Sequence, residues 1–244
     1  MMKSLFLASA AVAALAAAPA LAQDAAGSIG IQYSNTDIGA SSDLETWTAD
    51  GVVAMPAFGA WTVTLAADID QVEFFDEEDT SASGSVGLST LVGTDVRVGG
   101  FVGASDAGDE TALTGGFRAQ KYLSKATLTG VVAYTDVFDT NIWTVSADAA
   151  YYVTPQLSLN AGITYDTVDD ADFDAWTYAV GAEYDLGTSP FALTAGYAKS
   201  DLEGTDIDTW TVGVRYTFGG DKQSRDRAGA GTSAVGISNI LGIL

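Results

Sequence analysis

Apolar and polar residues alternate with a period of two through almost the whole chain, and no other feature constrains its fold as tightly. The stretch IDTWTVGVRYTFGG, Ile207 to Gly220, sets Trp210, Val212, Val214, Tyr216 and Phe218 on one face. Thr209, Thr211, Gly213, Arg215 and Thr217 fall on the other. A strand sends successive side chains to opposite faces, so this pattern sorts them there; on a helix it would scatter them. Twelve such segments of about ten to fifteen residues begin near Gly27, Leu44, Trp61, Asp79, Val96, Glu110, Ala126, Thr140, Leu157, Phe173, Phe191 and Ile207. After the first 22 residues no stretch reaches the roughly 18 uninterrupted apolar residues of a membrane helix. Any membrane crossing by this chain is therefore made by strands.

The first 22 residues read as a secretory signal peptide. Lys3 supplies the positive start, Leu5 to Ala18 the apolar stretch, and Ala20-Leu21-Ala22 the small-x-small cleavage site before Gln23. The expected organisation is a signal peptide over 1–22, a barrel over 23–220 and a tail over 221–244. The chain has no cysteine, hence no disulfide framework, and no histidine, the commonest general base and imidazole metal ligand. Its formal charge is −22, and removing Lys3 with the signal peptide leaves −23. A surface so acidic repels nucleic acid, whose binding needs Lys and Arg to neutralise phosphates.

Short connections are expected at 57–60, 92–95, 124–125, 154–156 and 187–190, and longer polar ones at 34–44, 75–80, 105–110, 135–141, 166–174 and 199–208. Short turns at one end and long loops at the other describe an up-and-down transmembrane barrel. With an even strand number both chain ends lie on the short-turn, periplasmic side. A hairpin-sized repeat agrees: ETWT, NIWT, DAWT and DTWT each bring a Trp-Thr pair just after acidic or amide residues. Trp47, Trp143, Trp176 and Trp210 fall near the longer connections, and Trp61, Tyr151, Tyr184, Phe191 and Tyr216 near the short ones. These are the two aromatic girdles expected at two membrane interfaces. The opposite face is Gly, Ser, Thr and charge, poor material for a dry core. Twelve strands also enclose more space than such side chains fill. The expected fold is all-β, an antiparallel barrel of about twelve strands with a wet lumen.

The signal peptide, alternating strands, girdles and terminal TVGVRYTF together resemble the Gram-negative outer-membrane β-barrel proteins of porin-like type. The resemblance covers residues 1–220 in pattern. Thr211, Gly213, Tyr216 and Phe218 are similar to the C-terminal assembly signal of that class. This implies recognition by the barrel assembly machinery and residence among outer-membrane lipid and lipopolysaccharide. Members usually end on the aromatic that corresponds to Phe218, whereas this chain continues.

The inward positions expected to line a pore are Asp50, Asp68, Asp70, Arg97, Arg118, Asp148, Asp166, Glu183, Asp185 and Arg215. Charged rings in a water-filled lumen set selectivity, whereas a merely solvated wall would pair them incidentally. About 20 of the 32 acids fall in the longer connections, which makes that mouth strongly negative. The expected function is passive diffusion of small hydrophilic solutes, favouring cations. The alternative is a structural or interaction barrel whose acidic loops bind divalent cations, lipopolysaccharide or a surface layer. DADFDA (170–175) partly resembles a calcium loop through Asp170, Asp172 and Asp174, but Ala175 and Gly181 stand where that loop needs Gly and Glu. The twelve-stranded phospholipases of the class are implied to use a Ser–His pair, and no histidine exists here, so no catalytic residue and no cofactor are expected. For the tail three readings stay open: a disordered extension, a plug whose Lys222, Arg225 and Arg227 meet lumen carboxylates, or an apolar anchor for a neighbour.

Overall fold

The computed structural model describes residues 25–39, 43–74, 77–107, 110–137, 140–168, 173–187, 189–202 and 204–231. Twelve strands follow one another: β1 (Ala26–Asp37), β2 (Leu44–Pro56), β3 (Trp61–Phe74), β4 (Glu77–Val92), β5 (Val96–Ala107) and β6 (Glu110–Tyr122), then β7 (Ala126–Val137), β8 (Thr140–Tyr152), β9 (Leu157–Val168), β10 (Phe173–Asp185), β11 (Phe191–Leu202) and β12 (Thr205–Phe218). Each pairs antiparallel with the next, and β12 returns to β1 to close the ring. The closing register sets Gly27 opposite Phe218 and Asp37 opposite Asp208. Both strand termini of the barrel therefore lie at one end, as an even strand number requires. Closure leaves no unpaired edge, the condition for strands to cross lipid.

The starts expected from periodicity hold for nine strands. The other three begin slightly earlier, at Ala26, Glu77 and Thr205. The expected difference in loop length between the two ends is not observed. Five of the six strands that rise to the acidic end run on to Asp37, Ala107, Val137, Val168 and Leu202, through residues read from sequence as loop. The connections there span two to six residues, against three to five at the other end. Polar residues do not mark a loop there, because the inward ones are buried and bond across the ladder: Thr135 meets Thr114, Asp166 accepts from Thr144 and Ser200 meets Thr177. The asymmetry between the ends is one of charge.

The barrel is built inside out relative to a soluble one. Val102, Leu113, Phe117 and Trp210 face outward and are 60%, 60%, 75% and 63% exposed, whereas inward Thr177 and Ser200 are fully buried. The Trp-Thr repeat now has a physical explanation. In each copy Trp points out and packs on a Tyr of the preceding strand: Tyr33–Trp47, Tyr134–Trp143, Tyr165–Trp176 and Tyr197–Trp210, with ring centroids 5.2, 5.1, 4.8 and 4.6 Å apart. The Thr points in and bonds to the following strand. Thr48 donates to Asp70 at 2.5 Å and Thr144 to Asp166 at 2.6 Å, while Thr177 meets Ser200 at 2.8 Å and Thr211 meets Ser34 at 2.9 Å. One dipeptide thus couples three consecutive strands, on the outer face through rings and on the inner face through hydroxyls.

Because the Thr177–Ser200 pair is completely buried, Thr177→Val leaves the Ser200 hydroxyl without its partner. We expect the variant to lose about 1–2 kcal/mol of unfolding free energy, read from its urea midpoint in lipid vesicles.

Beyond β12 the chain turns back. Gly219 and Gly220 take φ of 83° and 110°, a left-handed conformation that a side chain would strain. Asp221 then caps a single helical turn, α1 (Lys222–Arg225), by accepting the Ser224 amide at 2.8 Å, and a π-helical turn over Asp226–Ala230 follows.

Candidate functional site in the barrel lumen

The lumen holds a cavity of about 800 Å3. Its wall follows from strand parity. On β2 and β3 the inward positions bring Asp50 opposite Asp68 and Thr48 opposite Asp70, so three carboxylates share one patch. Asp50 is paired with Arg215 of β12 at 2.7 Å, and Arg215 also donates to Ser28 Oγ at 3.1 Å. Asp68 accepts from Ser83 Oγ at 2.6 Å. Across β5 and β6 the sign reverses. The Arg118 guanidinium lies 5.8 Å from the centre of the inward Phe101 ring and within electrostatic reach of Asp148 on β8. Three carboxylates meet one arginine across β2, β3 and β12, whereas β5 and β6 carry Arg97 and Arg118, so the charge of the wall varies around its circumference.

The end of the cavity nearest the chain termini is floored by the returning segment, whose Lys222, Asp226, Gly229 and Gly231 line it. Arg225 is only 3% exposed. It ion-pairs with Glu183, lies 3.5 Å from Asp185, and donates to the Gly220 carbonyl at 2.9 Å. Glu183 and Asp185 are two apart on β10 and so present both carboxylates on the inner face. Asp226, equally buried, accepts from Tyr152 Oη at 2.5 Å and from Lys222 Nζ at 2.6 Å. Arg97 of β5 donates to the Arg227 carbonyl at 2.8 Å, to Tyr122 Oη at 3.0 Å and to Ser89 Oγ at 3.1 Å. Tyr122 Oη is 3.2 Å from the Asp226 carbonyl, and Thr64 Oγ1 of β3 donates to the Gly229 carbonyl at 3.1 Å. Ala230 packs between Val52 and Ala54 of β2. The segment thus touches β2, β3, β5, β6, β8 and β10 and spans the mouth. Residues 221–231 fold back as in the plug reading, but of its three cations Arg225 meets lumen carboxylates, whereas Lys222 pairs with Asp226 of the same segment and Arg227 donates to the Leu123 carbonyl; 232–244 lie outside the described residues.

Of the ten residues expected to line a pore, Asp50, Asp68, Asp70, Arg97, Arg118, Asp148, Glu183 and Arg215 border this cavity. Asp166 faces inward but is buried against Thr144, and Asp185 is held beneath Arg225. Trp47, Trp61, Trp143, Trp176, Trp210, Tyr184 and Tyr216 all point outward and are at least a third exposed. In the terminal strand Thr211 points in to Ser34, and Tyr216 points out against Phe191 with ring centroids 5.8 Å apart. Phe218 neighbours Tyr216 at 6.4 Å. Gly213 sits where a Cβ would come within 2.7 Å of Thr194 Oγ1. Asp170 and Asp172 lie outside the described residues, and Asp174 falls on β10. Among the described residues no group of three or more metal-ligating side chains converges. Phe101, Tyr122 and Tyr152 are inward residues not anticipated from sequence. Parity marks them, since Tyr122 shares its face with Arg118 and Gln120, and Tyr152 with Asp148.

These features define a transmembrane β-barrel of the outer membrane with a porin-like fold. No family model and no curated protein sequence matches the chain. Among solved structures it is similar to the NanC porin, with a TM-score of 0.63 and 9% identity over 78% of this chain and 100% of that one. The KdgM porin in complex with disordered oligogalacturonate gives a TM-score of 0.55 and 10% identity, covering 78% of this chain and 99% of that one. The translocator domain of the autotransporter NalP from Neisseria meningitidis gives 0.55 and 12%, covering 88% and 97%. Such low identities establish a shared fold.

Proposed function

We propose that this barrel is an outer-membrane channel for passive diffusion of small hydrophilic solutes, that it prefers cations, and that it carries no catalytic activity. The supporting observation is the sign of the cavity lining. Among the described residues, eight carboxylates (Asp50, Asp68, Asp70, Asp79, Asp106, Asp148, Glu183 and Asp226) border it against four cations (Arg97, Arg118, Arg215 and Lys222), leaving a formal −4. A low-dielectric wall focuses that charge on the lumen, where it raises the local concentration of cations. The acidic hairpin end adds to the field within the screening length of roughly 8–10 Å at physiological salt. KdgM is seen with an oligogalacturonate, an acidic sugar chain. A net negative lining here favours solutes of the other sign. Outer-membrane barrels place their chain ends in the periplasm, so the acidic hairpins face outward.

Planar bilayers test this. The pure protein should conduct, with a reversal potential in a KCl gradient on the potassium side. D50N/D68N/D70N should move that potential toward the unselective value. Absence of conductance refutes the channel, whereas a chloride-side potential refutes only the ion preference. The density of acids at the hairpin end supports a second reading, a barrel that binds divalent cations, lipopolysaccharide or a surface layer. Retention of calcium by the silent protein would favour it.

A further inference from the structure

At the chain-terminal mouth the barrel holds a peptide site, and its own residues 221–231 occupy it. We propose that this segment is a gate, which narrows the channel when seated and opens it when displaced. The proposal rests on the channel reading above and adds the element that controls it.

The seat is made of charge and hydrogen bonds, and that makes it reversible. Arg225 sits between Glu183 and Asp185, and Asp226 between Tyr152 and Lys222. The backbone carbonyls of Arg227 and Gly229 are held by Arg97 and Thr64. Ala230, against Val52 and Ala54, adds an apolar contact, and Arg227 lies 6.0 Å from the centre of the Tyr122 ring. When the segment leaves, water replaces nearly every bond it made, on the segment and on the wall alike. An apolar plug would expose a greasy surface on both, and would stay. The connection also suits movement, because Gly219 and Gly220 directly follow the last barrel residue and carry the whole reversal of direction in two positive-φ positions. Arg225 meets the carboxylates of β10, so neutralising either side releases the segment without touching the aromatic girdles or the strand ladder.

Single-channel recording and trypsin, applied to the full chain, test the gate independently. The E183Q/D185N variant should conduct about twofold or more above the parent, since the lumen then loses its floor. R225E should do the same, and E183R/D185N/R225E, which restores an ion pair with the signs exchanged, should return to the parental conductance. On the folded protein, the sheltered bond after Arg225 should resist trypsin in the parent and be cut in E183Q/D185N. Equal conductance and equal cleavage in parent and variants overturn the gate and leave the channel standing. Cleavage that rises while conductance stays constant overturns it too, because the seated segment is then not limiting. Silence from the parent and every variant refutes the channel and the gate together.

Discussion

Replacing Gly213 by leucine stops this barrel from closing. Gly213 lies on the inner face of the last strand, between β1 and β11, with Gln32 and Thr194 as its cross-strand partners. A Cβ there meets Thr194 Oγ1 at 2.7 Å, Gln32 Cβ at 2.9 Å and the Ile31 backbone oxygen at 2.9 Å. The hydroxyl can rotate away, but the backbone oxygen belongs to the strand that must pair with β12 to close the ring. An alanine already overpacks the site by about 1–3 kcal/mol, and leucine adds three more heavy atoms in the same direction. The folded fraction, read by gel mobility with and without heating, should fall steeply in G213L and partly in G213A. Gly196, inward on β11, is the control: its nearest neighbour is 3.7 Å from the position of a Cβ, so G196A should fold like the parent. Equal folding of G213L and G196A would show that closure tolerates bulk at Gly213.

Arg215→Ala should cost about 3 kcal/mol of unfolding free energy, because it leaves Asp50 charged, largely buried and without its cation. The two side chains are 12% and 15% exposed, so solvent screens them little. Asp68, directly across from Asp50, adds a like charge that Arg215 now offsets. The cost therefore lies in the unpaired carboxylate. It follows that D50A/R215A should recover most of the loss, with a coupling energy of about 2 kcal/mol in the double-mutant cycle. Urea titration in vesicles measures all three variants, and a double variant no more stable than R215A would refute the account.

The barrel itself was legible because its determinant is local. Parity along a strand sorts side chains onto two faces with no knowledge of their partners, the aromatic girdles and the small polar face tell lipid from lumen, and turn residues punctuate the run. The same rule placed the outward Trp of each Trp-Thr pair. It did not show that Tyr33, Tyr134, Tyr165 and Tyr197 stand beside them, because a cross-strand neighbour depends on register. Composition suggests loops where the strands continue, because the polar residues there bond across the ladder to partners that register alone supplies.

The charged lumen divides in the same way. That Asp50, Asp68, Asp70 and Arg215 face inward follows from the sequence. That Arg215 meets Asp50, while Asp68 and Asp70 lean on Ser83 and Thr48, depends on closure and register. The segment after Phe218 shows the limit most clearly. Its glycines and cations are plain in the sequence, and they fit an extension as well as a plug. Only the tertiary structure seats Arg225 between Glu183 and Asp185, because those carboxylates become a site for it only once twelve strands have curved round to enclose the mouth. Sequence alone sorted side chains onto two faces, since alternation depends on one residue and its neighbour, and the aromatic girdles with the small polar opposite face marked which one meets lipid. Who meets whom across the lumen was decided by closure, which brings together residues far apart along the chain.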